Sequence, residues 1–170
     1  MQTLFAPWRH SYITQSKEAA AECFFCAAAR RPDDPESLVV WTAGHHLVML
    51  NRHPYTSGHL MVAPLAHVAS PQQSDAAARA ELWPVVLAAH RTLAAAYSPD
   101  GFNLGMNLGE PAGAGVPGHF HFHVVPRWAG DTNFMSVVAG VRLVPEDLGA
   151  ARARLRELFS REEARGRTDA

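Results

Sequence analysis

The chain has 170 residues, of which 48% are hydrophobic and 18% are charged. This length and composition predict one globular domain with a packed core. Its 15 basic and 16 acidic side chains give a formal net charge of −1, which gives no support for binding to nucleic acid or to a membrane surface. No run of about 18 apolar residues occurs, so no transmembrane helix is predicted. The N-terminus also lacks the basic and apolar regions of a secretory signal, and we therefore expect a cytoplasmic protein.

The first predicted elements follow a leader, residues 1–36, that contains Cys23-x-x-Cys26. Apolar, β-branched runs at 37–41 and 45–50, separated by Thr42-Ala43-Gly44, predict a hairpin. By the same criteria further strands are predicted at residues 59–63, 102–107, 118–126 and 135–138. Apolar residues at helical spacing predict a long helix at 76–97, broken or kinked by Pro84 and with Trp83 in the core, and a second helix that Pro145 opens.

These elements predict an α+β fold, in which an antiparallel sheet of about five strands carries one long helix and a C-terminal helix. Within a single domain, residues 1–170, the predicted parts are the leader (1–36), the sheet with the long helix (37–144), and the C-terminal helix with its tail (145–170).

Three histidines alternate with apolar residues between Gly118 and Pro126: His119, His121 and His123. In a strand, alternate side chains point to opposite faces, so the three imidazoles would share one face, whereas a helix would scatter them. Neutral imidazole is a zinc ligand, and it is also a nucleophile or acid/base near neutral pH. The pattern therefore predicts either a metal-binding face or a catalytic face.

The loop before this strand, residues 108–118, is rich in glycine, including Gly113 and Gly115. Glycine allows close approach to the backbone, and successive N–H groups can form an anion-binding nest. Together with the histidines, the loop suggests a phosphate group held in front of an imidazole.

Cys23 and Cys26 have the spacing of a redox pair or of half a metal site. No βαβ pattern surrounds them, which disfavours a thioredoxin-like role. A tetrahedral structural zinc would need two further nitrogen or sulfur ligands. Two buried thiols without a metal remain the alternative.

The alternation from His119 to Val125 resembles the signature of the histidine triad (HIT) superfamily. Other features resemble the family in the same order along the chain: Leu4 to Arg9, Cys23-x-x-Cys26, Leu50-Asn51-Arg52, Gly58-His59 and Pro126 to Phe134. The leader and the segment 127–134 look most like a bacterial branch similar to diadenosine-polyphosphate phosphorylases. The resemblance covers about residues 4–160.

The resemblance implies roles for five residues. His121 would attack the α-phosphorus of a nucleotide and form a covalent nucleotidyl-histidine, its Nδ1–H bonded to a backbone carbonyl. His123 would contact the phosphate and stabilise charge or protonate the leaving group. His59 would lie close to the phosphate, Asn51 would bind ribose, and Asn107 would contact the phosphate or the leaving group.

At Gly113-Ala114-Gly115-Val116 the chain departs from the family, in which a serine or glutamine is common. Gly113 and Gly115 would bind phosphate through backbone N–H groups alone. The resemblance also implies a structural zinc held by Cys23, Cys26, His67 and His119, which leaves His121 and His123 for catalysis. Magnesium could accompany the substrate.

The implied function is cleavage of dinucleoside polyphosphates, with diadenosine tetraphosphate favoured, by hydrolysis or by phosphorolysis with inorganic phosphate. The alternatives are a purine nucleoside phosphoramidase and a nucleotide-binding or interaction module without turnover. Family members are usually homodimers that join sheets edge to edge, and the unpaired edge of a five-stranded sheet would suit this arrangement.

Overall fold

A computed structural model of the protein describes residues 22–131 and 146–168, with side chains up to residue 162. The helices are α1 (Phe24–Arg30), α2 (Ala76–Tyr97) and α3 (Leu148–Thr168), and the strands are β1 (Val39–Thr42), β2 (His46–Leu50), β3 (Leu60–Pro64), β4 (Gly101–Met106) and β5 (Phe122–Arg127). The predicted leader up to residue 21 and the predicted strand at 135–138 lie outside the described residues. No helix in the described ranges has the length and apolar content needed to cross a membrane.

The five strands form one antiparallel sheet in the order β1-β2-β3-β5-β4. Met61 in β3 lies opposite Met49 in β2 and His123 in β5, and His123 lies opposite Gly105 in β4. The predicted α+β architecture, with its long helix and C-terminal helix, is confirmed.

The two faces of the sheet have different neighbours. Phe102 and Phe122 meet the rings of His90 and Trp83 on α2, so their face packs against that helix. By alternation this face also carries Leu60, Val62 and Val124, which are completely buried. The opposite face carries Met61, His123 and Gly105. It is the face on which the histidine cluster lies.

The helices begin and end where local chemistry stabilises them. The Asp75 carboxylate accepts the N–H of Ala78 at 2.7 Å and caps α2, which spans the predicted residues. The Asp147 carboxylate accepts the N–H of Ala150 at 2.9 Å, so α3 begins at Leu148. α3 packs against α2 and β1, and Phe159 stacks on Trp41 with ring centroids 5.2 Å apart.

The structure tests two predictions about α2. The helix continues through Pro84 without the predicted break, so the alternative, a kink, stays a prediction. Pro84 is exposed, and the carbonyl of Ala80, which loses its N–H partner, is at an exposed residue where water can bind it. Trp83 is 53% exposed, so its predicted place in the core is wrong.

The strand that carries the triad is shorter than predicted. β5 begins at Phe122, and only His123 of the three histidines lies within it. The Phe120 N–H bonds to the carbonyl of Val68 in the segment after β3, and not to a neighbouring strand. His119 and His121 therefore lie on the approach to the sheet.

Candidate active site and metal site

Cys23, Cys26, His67 and His119 form a cluster at one end of the sheet, and their ligand atoms all lie within 4.8 Å of one another. Nδ1 of His119 is 3.3 Å from Cys23 Sγ and 3.6 Å from Cys26 Sγ, and Nδ1 of His67 is 3.3 Å from Cys26 Sγ. Standard zinc–sulfur and zinc–nitrogen distances in a tetrahedron place such atoms about 3.6 Å apart. The donor set and its dimensions therefore fit a zinc ion.

The backbone sets the ring orientation of His119 and permits the close approach of His67 in this cluster. Nε2–H of His119 donates to the carbonyl of Pro64 at 2.8 Å, so Nδ1 is the bare nitrogen that faces the sulfurs. A Cβ on Gly118 would lie 3.3 Å from Nε2 of His67, so glycine permits the close approach of that ring. Burial lowers the pKa of His119, which keeps the ring neutral. Burial and then Cys23 raise the pKa of the Cys26 thiol, and a bound cation would reverse this effect.

Among the described residues no second group of three or more potential ligands is found. The predicted magnesium therefore has no support from the arrangement of side chains.

His121 is held as a neutral ring with a bare Nε2. Its Nδ1 lies 3.2 Å from the carbonyl oxygen of His119, and since a carbonyl can only accept, Nδ1 carries the proton. The ring is 6% exposed and packs on Phe25 of α1, with centroids 4.9 Å apart. Burial lowers its pKa. A neutral imidazole with a free lone pair is the reactive form of a histidine nucleophile.

His123 is oriented by His59. The Tyr55 N–H donates to Nδ1 of His59 at 3.1 Å, which leaves the His59 proton on Nε2. That Nε2–H donates to Nδ1 of His123 at 2.9 Å, so the proton of His123 is on its own Nε2. Burial and then the charge of His121 lower the pKa of His123 to about 4. His123 is thus a neutral ring whose Nε2–H is the available donor.

His59 itself is completely buried, and Gly58 explains how the chain brings it there. Gly58 has φ +73°, and a Cβ on it would lie 2.7 Å from Cε2 of Tyr97. Only glycine accepts both the left-handed backbone and the contact with α2 without strain.

Two cavities open on the face of the sheet that carries His123. The first, of about 370 Å³, lies over β2 and β3 and is lined by Asn51, Met49 and Met61, with Phe24 from α1. The second, of about 410 Å³, lies over β5 and β4 and is lined by polar residues, among them His123, Asn103, Asn107 and Arg127. His123 lines the second cavity and its strand partner Met61 lines the first, so His123 lies between the two cavities.

Of the other predicted site residues, Asn51 and Asn107 line these cavities, one each, and Gly113 and Gly115 line neither. Asn51 lies at the first cavity, where its Oδ1 accepts the His53 N–H at 2.9 Å. Asn107 lies at the second and donates to the carbonyl of Gly113 at 3.3 Å. The N–H of Gly113 donates to the carbonyl of Glu110 at 2.9 Å. Within the described ranges no hydrogen bond joins Gly113 or Gly115 to a triad histidine, and phosphate binding by these glycines stays a prediction.

Some contributors to the site could not be found by inspecting side chains. The carbonyls of Pro64 and His119 and the N–H of Tyr55 fix the proton positions of three histidines. They act through the backbone, which leaves no signature in the sequence. Arg127, at the second cavity, does have a signal in its position four residues after His123 on a strand.

Comparison with known proteins agrees with this arrangement. A family model for the HIT domain matches residues 33–130. The AP-4-A phosphorylase of Mycobacterium tuberculosis is 34% identical, over 95% of this chain and 86% of that protein. The crystal structure of a zinc-bound histidine triad family protein from Mycobacterium smegmatis is 27% identical and superimposes with a TM-score of 0.67, covering 84% of this chain and 96% of that one.

A hypothetical histidine triad nucleotide-binding protein from Sulfolobus tokodaii is also 27% identical, with a TM-score of 0.66 and coverage of 82% and 93%. The fold and site define a histidine triad protein. The chain belongs to the HIT family, and the predicted resemblance is confirmed.

Proposed function

We propose that the protein is a nucleotidyl transferase that cleaves dinucleoside polyphosphates, with diadenosine tetraphosphate as its substrate, through a covalent nucleotidyl–His121 intermediate. The observation that carries the proposal is the hydrogen bond from Nδ1 of His121 to the His119 carbonyl, which leaves Nε2 bare for attack. The 34% identity to the AP-4-A phosphorylase of Mycobacterium tuberculosis supports this substrate.

The first half of the proposed reaction places one nucleoside in the cavity over β2 and β3. Asn51 lines that cavity and would bind the ribose there. The α-phosphorus would lie against the bare Nε2 of His121. The lone pair of Nε2 forms the nitrogen–phosphorus bond, and the phosphorus–oxygen bond to the leaving ATP breaks with its electron pair on the leaving oxygen. Nε2–H of His123 would donate to the charge that develops on the phosphoryl oxygens.

In the second half an acceptor attacks the phosphorus and returns the electron pair to Nε2 of His121. Water as acceptor gives AMP, and inorganic phosphate gives ADP. We favour phosphorolysis because the Mycobacterium tuberculosis relative is a phosphorylase and because a polar cavity containing Arg127 adjoins His123.

We also propose that Cys23, Cys26, His67 and His119 hold a structural zinc. A bound zinc would supply the charge that stabilises two thiolates and would fasten α1 to the segment around His119. The carbonyl of His119 is the acceptor that orients His121. A metal bound to His119 would therefore also fix the hydrogen bond that orients the proposed nucleophile. The zinc-bound Mycobacterium smegmatis structure supports the choice of metal.

The decisive experiment incubates the purified chain with diadenosine tetraphosphate, with and without inorganic phosphate, and identifies the products by mass spectrometry. ADP formed only with phosphate supports phosphorolysis, and AMP plus ATP supports hydrolysis. His121→Ala should abolish turnover while nucleotide binding persists, and a wild-type protein quenched in mid-reaction should carry an added AMP. His90→Gln, on the opposite face of the sheet, is the matched control.

Three results would contradict the proposal. A fully active His121→Ala variant would exclude the covalent intermediate. Cleavage of a nucleoside phosphoramidate without cleavage of diadenosine tetraphosphate would make the protein a phosphoramidase. Tight AMP binding without any turnover would make it a binding module.

We propose further that two chains associate through β4. β1 and β4 are the two edge strands of the described sheet, and Leu104 on β4 is 41% exposed. Trp83 and Leu87, on adjacent turns of α2, are 53% and 37% exposed. Sedimentation should show a dimer of 18.5 kDa chains that Trp83→Glu weakens and the control Leu65→Glu does not, whereas a wild-type monomer would exclude the proposal.

A further inference from the structure

We propose that the cavity over β5 and β4 holds a phosphate group through Arg127, and that the same site serves two phosphates in turn. The first is the phosphate of the leaving nucleotide that adjoins the bond being broken. The second is the inorganic phosphate that attacks the intermediate. This inference rests on the proposed function and adds to it the residue, Arg127, whose charge favours phosphate over water as the acceptor.

Arg127 is the only permanent cation among the described residues that line this cavity. Its Nε and Nη2 donate to the two oxygens of Asp131 at 2.5 and 2.8 Å, and its Nη1 donates to Oδ1 of Asn103 at 2.7 Å. A guanidinium has five N–H bonds, so these three hydrogen bonds leave two N–H groups for a ligand. The group is fixed in orientation before any ligand binds.

The hydrogen bond to Asn103 shows where the guanidinium lies. Arg127 and His123 are four residues apart on β5, and their side chains share one face of the sheet. Asn103 is opposite Val125, halfway between them. The guanidinium therefore extends toward the level of Asn103, and along the strand that level is two residues, about 7 Å, from the level of His123. A phosphate between them would contact Arg127 and still adjoin the phosphorus held at the histidines.

The acidic partner of Arg127 is less exposed than Arg127 itself. The Arg127 side chain is 43% exposed, whereas that of Asp131 is 11% exposed. The Asp131 carboxylate also accepts the N–H of Trp128 at 3.2 Å. Asp131 also lines the cavity, but its carboxylate is the less exposed member of the pair, and it shares its charge with a backbone donor while it fixes the guanidinium. The exposed end of the pair is the cation.

The chemistry requires one site for both phosphates. His121 attacks phosphorus from the side opposite the leaving group, and the leaving oxygen departs with the electron pair of the broken bond. The acceptor must then attack opposite Nε2 of His121, which is the position the leaving phosphate has vacated. A phosphate oxygen forms the new phosphorus–oxygen bond, and the electron pair of the broken nitrogen–phosphorus bond returns to Nε2, giving ADP.

A fixed cation at that position favours an anionic acceptor over neutral water. Phosphate brings its own negative charge to the bidentate geometry that a guanidinium offers. Water gains nothing comparable from Arg127. The ratio of ADP to AMP should therefore depend on this one residue.

A binding measurement tests the site without requiring turnover. Inorganic phosphate and tripolyphosphate are titrated calorimetrically into the full-length wild type, Arg127→Gln, Arg127→Lys and the control Arg91→Gln, a surface arginine that pairs with Glu162. Loss of a charge-assisted hydrogen bond should weaken both ligands about 10- to 100-fold in Arg127→Gln, with Arg127→Lys intermediate and the control unchanged. Wild-type affinity in Arg127→Gln would overturn the proposal, as would wild type binding neither ligand.

Kinetics separate the two sources of phosphate. The specificity constant for diadenosine tetraphosphate without added phosphate reports on the leaving group, and KM for inorganic phosphate reports on the acceptor. Arg127→Gln should lower the first and raise the second, each about 10- to 100-fold, and should shift products from ADP to AMP. If either quantity keeps its wild-type value, the shared site is refuted.

Failure of this inference and failure of the proposed function give different results. Turnover that depends on His121 but is indifferent to Arg127 would overturn only the phosphate site. Phosphate binding that depends on Arg127 in a protein without turnover would overturn the proposed function and leave the anion site standing. Should Arg127→Gln unfold, Arg127→Lys decides, because it keeps the charge but cannot reproduce the fork that contacts Asp131.

Discussion

The hydrogen bond from His59 to His123 predicts a separation of activity from stability. Nε2–H of His59 donates to Nδ1 of His123, and this bond places the proton of His123 on the nitrogen that is free to meet a phosphate. His59→Leu removes the donor. His59→Gln keeps an amide N–H at about the position of the imidazole Nε2, so it can still orient His123.

The size of each effect follows from the hydrogen bonds that each substitution removes. Both variants remove the acceptor of the Tyr55 N–H and of the longer 3.4 Å contact from Nδ2 of Asn51, and the leucine variant also leaves Nδ1 of His123 without its donor. At about 1 kcal/mol or more for each hydrogen bond removed at a fully buried residue, His59→Leu should lose about 2 kcal/mol of the free energy of unfolding, and His59→Gln about half of that. For a chain of this length 2 kcal/mol corresponds to a fall in Tm of about 4 to 8 °C.

Activity should respond differently from stability. A donor aimed at the charge of the transition state contributes about 100- to 1,000-fold to kcat, and loss of its orientation should forfeit about 10- to 100-fold. We expect this loss in His59→Leu and a change within about threefold in His59→Gln, with KM for diadenosine tetraphosphate nearly unchanged in both. Product formation under saturating substrate measures kcat, and urea titration measures stability.

Two outcomes would refute this reasoning. If His59→Leu keeps the wild-type kcat, His59 does not set the proton position of His123. If both variants lose activity in proportion to stability, His59 supports the fold and has no positioning role.

Three further predictions concern pH, metal and backbone. Because the pKa of His123 is held at about 4, the unfolded chain, with a pKa near 6.5, binds more protons between these values. The free energy of unfolding should therefore fall by up to about 3 kcal/mol from this group as the pH drops from about 6.5 to 4. Urea titrations of wild type and His123→Gln should differ in their pH dependence. Parallel dependences of stability on pH in the two proteins would contradict the lowered pKa of His123. The protein purified without added metal should contain about one zinc per chain, and Cys26→Ser should lose it and melt at least about 5 °C lower; a wild type without metal would exclude the site. Gly58→Ala should lose about 2 kcal/mol or more, because an L side chain at φ +73° is strained and would meet Tyr97; Gly101→Ala, where nothing lies within 4 Å, is the matched control, and equal losses in both would argue against the steric conflict with Tyr97.

Much of the fold follows from patterns that are local in sequence. Apolar spacing from Ala76 to Tyr97 predicted the bounds of α2, and apolar, β-branched runs predicted the sheet. These patterns do not show which element of the fold packs against each apolar surface. Trp83 is at an apolar position of the helix, yet it is exposed, because helical spacing does not say whether another element covers that turn.

In the candidate site too, local sequence patterns predicted some features and could not predict others. The histidine alternation and the two cysteines identified the chemical groups, and the family resemblance paired Cys23 and Cys26 with His67 and His119, which the structure brings together. The protonation of each ring depends on interactions between segments far apart in sequence, such as His119 with the carbonyl of Pro64, and no local pattern contains them. The late start of β5, at Phe122, has the same origin, since the Phe120 N–H bonds to the carbonyl of Val68.

One consequence joins the metal site to the nucleophile. Alternation alone would give three equivalent histidines on one face, but their Nδ1 atoms have three different partners. Nδ1 of His119 faces two sulfurs, that of His121 donates to a carbonyl, and that of His123 accepts from His59. Each partner imposes a different bare or protonated nitrogen, so one residue type repeated at a spacing of two offers three chemically different groups, which suit the proposed metal ligand, nucleophile and proton donor. The carbonyl that orients His121 belongs to His119, and any shift of His119 would therefore be transmitted directly to His121.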